Sequence, residues 1–368
     1  MEKIVSYLVG HCEKLQHLPE DFIYLALQVV AGLLVLMLFV APFAGIISFV
    51  ERRIAARVMD RVGPNRVGPQ GIFQWLADGV KSLLKEDIIP AQADSVLFRL
   101  APYLVFVGMF AAFVVVPFSS GLIVADLNIG IFYLIAVTSI VVVGIMMSGW
   151  ASNNKYSLLG GMRSAAQIVS YEIPAGLSIL AVVILSGSLS IQSIIKAQGA
   201  YPWQWFLFQN PLMPIAFISL FIASLAEGNR TPFDIPEAES ELVSGYSTEY
   251  SGMRFVFFYF EEWANLYLIA AVSTALFLGG WNLPSAVVSW AQTKGDVLLH
   301  LLQFLTFFIK AMVMVFIIIQ LRWTLPRVRV DQLMALCWKY LTPIGFVVSL
   351  GWQLGWLYFL RECLWSVM

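Results

Sequence analysis

Glu172 stands inside a long apolar stretch, in the pentad Ser170-Tyr171-Glu172-Ile173-Pro174. If that stretch crosses a bilayer, an ionisable side chain there costs roughly 2.5–3.5 kcal/mol, so its retention points to proton handling. Pro174 has no amide hydrogen to donate, which should leave the Ser170 carbonyl unpaired and open a place for water beside the acid. The competing reading is a neutral packing carboxyl held by neighbouring hydroxyls. Glu261 and Glu262 lie in another apolar stretch. Successive helical residues point about 100° apart, so at most one of this pair faces the same space as Glu172. Lys310, near the middle of a third stretch, is a candidate partner for any of these acids.

The densest group of acids runs from Glu227 to Glu249 and holds Glu227, Asp234, Glu237, Glu239, Glu241 and Glu249 against the single base Arg230. Pro232 and Pro236 suit an irregular approach to a helix starting near Asp234, and Asp234 with Glu237 has the spacing of a capping box. On that helix Asp234, Glu237 and Glu241 share one face, where they would raise one another's pKa and share protons, with Arg230 holding the loop by charge-assisted hydrogen bonds. A solvated acidic helix start explains the same spacing. Upstream, Glu51 precedes Arg52, Arg53, Arg57, Arg61 and Arg66, with turns at Gly63-Pro64 and Gly68-Pro69. The glycine spacing mimics a phosphate loop but lacks its Lys and Ser or Thr, so nucleotide binding is rejected. Cys12, Cys337 and Cys363 and His11, His17 and His300 show no metal-ligand spacing, which argues against a metal or iron-sulfur site supplied by this chain alone.

These residues must be positioned by membrane helices. Of 368 residues, 60% are apolar and 12% charged, half the charged share of a soluble protein, and mean hydropathy is +0.81. Apolar runs near 22–50, 96–118, 131–150, 164–186, 212–226, 255–280, 298–322 and 341–360 read as eight spans of one all-α membrane domain over 1–368. The fifth is short. The first is too long, and lacks the cleavage site, for a cleavable signal peptide. The loops 51–95, 151–163, 227–254 and 323–340, with the adjoining span ends, hold 16 of the 22 Lys and Arg. Lys3, Lys14, Lys196, Lys294 and Arg361 fall on the other side, and Lys310 within a span. Positive residues stay inside, so those loops are expected in the cytoplasm and both termini outside. Between 70 and 87, Ile72, Phe73, Leu76, Val80, Leu83 and Leu84 recur at helical spacing opposite Asp78, Lys81 and Lys85. That pattern fits an amphipathic helix in the membrane interface, or one buried against the other loops.

The run from Glu51 to Gln70, the stretch from Trp150 to Gly161, the Ser170 to Pro174 pentad, the segment Asn229 to Glu241 with Tyr246 to Tyr250, and Leu321 to Gln332 together resemble the H subunit of bacterial complex I, whose mitochondrial counterpart is numbered first. The resemblance covers about 22–360. It implies an eight-span, multi-pass component of a proton-translocating NADH-quinone oxidoreductase in the cell inner membrane. Quinone is then the substrate, and no flavin, iron-sulfur cluster or metal is held by this chain. Implied partners are soluble-arm subunits on the cytoplasmic loops, small membrane subunits and antiporter-like subunits, with no nucleic acid. Carried over to matching positions, Glu51, Arg52, Arg53, Arg57 and Arg230 border the quinone, with the 70–87 helix at its point of access. Glu227, Asp234, Glu237, Glu239, Glu241 and Glu249 line the acidic loop of the chamber, and Glu172, Glu262 and Lys310 join the proton relay. A photosynthetic quinone oxidoreductase or a membrane hydrogenase has a similar component. A stand-alone secondary transporter would show an inverted repeat, and none is visible.

Overall fold

The computed structural model describes residues 36–236 and 239–351, with positions 27, 29, 30, 32 and 34. Most of the first apolar run, the end of the last, Glu237 and the side chain of Glu239 therefore lie outside the described residues. All regular structure among those residues is helical. Nine helices carry the architecture: α1 (Ala41–Val58), α2 (Gln74–Leu84), α3 (Ser95–Ala112), α4 (Gly130–Ala151), α5 (Lys155–Ser186), α6 (Met213–Glu227), α7 (Gly252–Phe277), α8 (Asp296–Thr324) and α9 (Val330–Ala335). Among the described residues, six helical stretches are long and apolar enough to cross a membrane: Ser95–Val115, Gly130–Ala151, Lys155–Ser186, Gly252–Phe277, Asp296–Thr324 and Val330–Gly351. The shorter α6 is equally apolar in character.

Local chemistry sets the helix ends. Asp94 caps α3 by accepting from the amides of Val96 and Leu97, and Asn154 caps α5 by accepting from Tyr156 at 2.9 Å. Gly187 ends α5 in the left-handed region at φ 67°, which glycine adopts without a Cβ penalty. With that cap, α5 begins nine residues before the apolar run that announces it. Its first turns bury their small residues, Ser157, Gly160, Gly161 and Ser164. Gly161 meets Gly149 of α4, Gly160 meets Gly245, and Ser157 Oγ donates to the Tyr246 carbonyl at 3.1 Å.

Helices α3, α4, α5 and α6 pack in sequence, and α7 closes the group by touching α3, α5, α6 and α8. The core runs through this bundle. Helix α2 packs outside this group, against α1 and the start of α7. Trp75 fills the notch left by Gly45 on α1, and Asp78 takes Arg52 at 2.6 Å, while Leu76, Val80, Leu83 and Leu84 stay exposed. Among the described residues, the other loops leave this apolar face uncovered.

Candidate functional site

Two polar centres sit inside the bundle, and α7 supplies both through adjacent residues. Glu261 faces a cavity of about 60 Å³ between α3, α4, α5, α6 and α7, where it meets Glu172, Glu227, Ser224, Asn265 and Thr138. Glu172 also accepts a hydrogen bond from Ser139 at 2.8 Å. Glu262, turned away from its neighbour, enters a different cluster. Its Oε1 lies 3.1 Å from Arg230 Nε and 3.3 Å from Arg322 Nη1. Glu51 completes that cluster, with Oε2 accepting from Arg230 at 2.9 Å and Oε1 from Arg322 at 2.6 Å.

The result is a neutral quartet of two carboxylates and two guanidiniums. Arg230 is only 1% exposed and stacks over the Trp263 ring, with its Cζ 4.5 Å from the ring centre. Taking such charges out of water costs several kcal/mol each unless they are paired closely, which is why each guanidinium here touches both acids.

This placement bears out one expectation and corrects two. Arg230 does hold the acidic loop by charge-assisted hydrogen bonding, and its partners are Glu51 of α1 and Glu262 of α7, outside the loop. The loop is held further by Gln167, whose Nε2 donates to the carbonyls of Ala226 at 2.8 Å and Phe233 at 2.7 Å, and by the Val328 amide on the Pro232 carbonyl at 3.0 Å. Asp234 and Glu241 do not share a helix face. Among the described residues between α6 and α7, the α-helical ones are Glu239–Leu242, and Pro232 and Pro236 keep the backbone before them out of a longer helix. Asp234 sits 3.6 Å from Arg327, while Glu241 accepts from Arg163 at 2.7 Å. Burial, with Glu262 nearby, raises the Asp234 carboxyl above its ordinary range against the opposing pull of Arg327, Arg322 and Arg230. The hydrogen bond from Arg163 lowers Glu241 below its own. Lys310, finally, meets no acid among the described residues. Its Nζ donates to the carbonyls of Leu278 at 2.8 Å and Gly280 at 3.0 Å, just past the end of α7, and lies 4.5 Å from the Trp205 ring centre.

The water place expected beside Pro174 is also filled differently. Cys337 donates its thiol to the orphaned Ser170 carbonyl at 3.1 Å, and Tyr171 donates to the Leu333 carbonyl at 2.9 Å. Of the remaining site residues, Glu249 accepts from Asn154 at 2.6 Å, Arg53 donates to Gln70 at 3.3 Å, and Arg57 is exposed. Sequence reasoning missed Glu261 as the member of its pair that faces Glu172, and it gave no role to Arg322, Gln167 or Trp263. Asn265, four residues on from Glu261, marks the cavity-facing side of α7 and was the available signal. No local signal joins Arg322 to Glu51, 271 residues away.

The NADH dehydrogenase family profile matches residues 30–352 of the chain. A relative from Anaeromyxobacter dehalogenans, the H subunit of an NADH-quinone oxidoreductase, is 53% identical over 333 residues, covering 87% of this chain and 81% of the relative. The H subunit from Chlorobaculum tepidum is 48% identical, covering 83% and 86% of the two chains. That from Phocaeicola vulgatus is 46% identical, covering 89% and 90%. Matches of this length and identity take in every described residue of both polar centres, and the chain belongs to the NADH dehydrogenase family, alongside the H subunits of NADH-quinone oxidoreductases.

Proposed function

We propose that the chain is the membrane component of an NADH-quinone oxidoreductase that borders the quinone and couples its reduction to proton translocation. The observation that carries this reading is the convergence of Glu172, Glu227 and Glu261 on one cavity within the bundle, one residue away from a buried charge quartet. A water needs roughly 10–15 Å³ of such space and two to four polar partners, so a cavity of about 60 Å³ with three carboxyls seats a short proton-conducting chain. Quinone reduction takes up two electrons and two protons. The electrons come from a soluble partner docked on the cytoplasmic loops. Negative charge arriving on the quinone beside Glu51 and Arg230 disturbs the balance around Glu262, and Glu261 next to it carries that change into the cavity. Proton transfer through Glu227, Glu261 and Glu172 follows. The helix α2 borders quinone access, with Arg52, Arg53 and Arg57 at its rim.

In an assembled complex, Glu172→Gln is expected to cut proton pumping roughly tenfold or more, because an amide cannot take up and release the proton, and to slow quinone reduction with it. Pumping and turnover at wild-type levels would make Glu172 a packing residue.

The reading includes eight spans, the inner membrane, antiporter-like neighbours and both termini outside. Lys155 and Asn128 are exposed at opposite ends of α4 and α5. With Cys12 and Cys363 changed to Ser, Lys155→Cys should react with a membrane-impermeant thiol reagent only from the cytoplasmic side, and Asn128→Cys only from outside. The reverse pattern would overturn the orientation.

A further inference from the structure

The cavity that gathers the acids has two unlike ends. Ser224, Glu227, Glu261 and Asn265 lie toward the end where α6 finishes and α7 begins, and Glu172 and Thr138 lie beyond them. In the opposite direction the lining turns apolar. Leu134, Ile179 and Val272 form a neck shared with a second, smaller cavity of about 20 Å³. That cavity is bounded by apolar side chains only, among them Val116, Ile131, Ile191 and Ala275. Its volume would fit one water, but a water there finds none of the two to four polar partners that hold it, and apolar cavities of this kind stay dry.

The surrounding polar groups do not bridge the gap. The buried hydroxyls of Ser219, Ser273 and Thr274 line neither cavity. Fourteen residues separate Glu172 from Ser186 at the far end of α5, about 21 Å of helix at 1.5 Å per residue. Asp126, hydrogen-bonded to Ser190 at 3.4 Å, is exposed on that far side.

We infer that Leu134, Ile179 and Val272 form a dry septum that blocks protons gathered in the acid cavity from leaking through this chain to the far face of the membrane. The inference rests on the reading of Glu172, Glu227 and Glu261 as proton carriers. It assigns an insulating role to residues that a packing description would treat as ordinary core. A proton can then leave the cavity only sideways, past Glu172 and Ser139 between α4 and α5, and never straight across.

The test uses the whole complex reconstituted in liposomes. The pair Ile179→Thr and Val272→Thr places hydroxyls in the neck, with no change of size at 272 and the loss of one methyl at 179. Passive proton flux is expected to rise roughly tenfold, since supplying a hydrogen-bond partner removes a cost of at least that factor for a water in the neck. NADH-quinone turnover of the detergent-solubilised complex should stay within about twofold, which also reports that the complex has assembled. A size-reducing but apolar pair, Ile179→Val with Val272→Ala, should remain tight. Equal tightness of both pairs overturns the septum, and so does equal leakage, because the barrier would then be packing and not dryness. Should the threonine pair fail to assemble, the single Ala275→Ser variant puts one hydroxyl into the outer cavity and is expected to leak more than Ala275→Gly, equality again counting against the septum. Adding Glu172→Gln to the leaking pair separates the two ideas. The leak should disappear if the acids carry the protons, whereas a leak that persists keeps the septum and discards the relay.

Discussion

Replacing Arg230 by Met will abolish quinone reduction by the assembled complex or prevent its assembly. The side chain is buried and bridges Glu51 and Glu262, so its loss leaves two carboxylates facing Arg322 alone. Removing one partner of a buried ion pair costs about 3–5 kcal/mol, because the remaining charge has neither partner nor water. Methionine fills much of the volume, so the effect reports charge and not a cavity. Two further variants make the argument specific. Arg230→Met combined with Glu262→Gln restores a neutral set and should recover part of the stability. Arg230→Lys should recover less than its charge suggests, since one ammonium cannot present separate nitrogens to both acids. The readouts are the thermal midpoint of the purified complex and its NADH-quinone turnover. A single Met variant with wild-type values would mean that the quartet is spare.

Gly160→Ala should be nearly as damaging, although it adds only a methyl group. A Cβ at this position would stand 2.7 Å from the Gly245 Cα and 2.8 Å from the Tyr246 amide nitrogen. Both neighbours are backbone, so the clash cannot be relieved by turning a side chain, and forcing extra atoms into a packed site costs about 1–3 kcal/mol or more. The turn at Gly245–Ser247 has to move. With it goes the hydrogen bond from Ser157 to Tyr246, and the stacking of Tyr250 on Phe98, at 4.1 Å between ring centres, comes under strain. The comparison is Gly79→Ala on α2, where nothing lies within 4 Å of the added carbon. That change should stabilise by roughly the glycine-to-alanine helix propensity, up to about 1 kcal/mol. Thermal unfolding of the two purified complexes, measured side by side, should move in opposite directions. A Gly160 variant as stable as wild type would mean that the turn has slack.

What could be read in the sequence follows from the range of the forces involved. Apolar runs reveal helices because burial in lipid is a sum over neighbouring residues, and the five runs from 96–118 to 255–280 each have a helix in the structure. The start of α5 escaped because Lys155 to Gly161 is short of apolar side chains. Its helix is fixed by the Asn154 cap and by close backbone approach at Gly149 and Gly245, which hydropathy does not record. The division of labour between Glu261 and Glu262 follows from helix geometry, but which of them faces Glu172 depends on the rotation of α7 against α5. The pairing of Arg230 depends on where α1 and α7 bring Glu51 and Glu262. The acidic segment invited a helix by its spacing, and the two prolines, visible all along, decided against one.

The quartet also sets an order of events during synthesis. Glu51 leaves the ribosome 179 residues before Arg230 and 271 residues before Arg322. At about 5–20 residues per second, the acid waits roughly 10–50 s for its second partner. Until then Glu51 and Glu262 have only Arg230 between them. A chain that stops before α8 therefore presents an unmatched carboxylate, which marks it as unfinished for any machinery that clears incomplete membrane proteins.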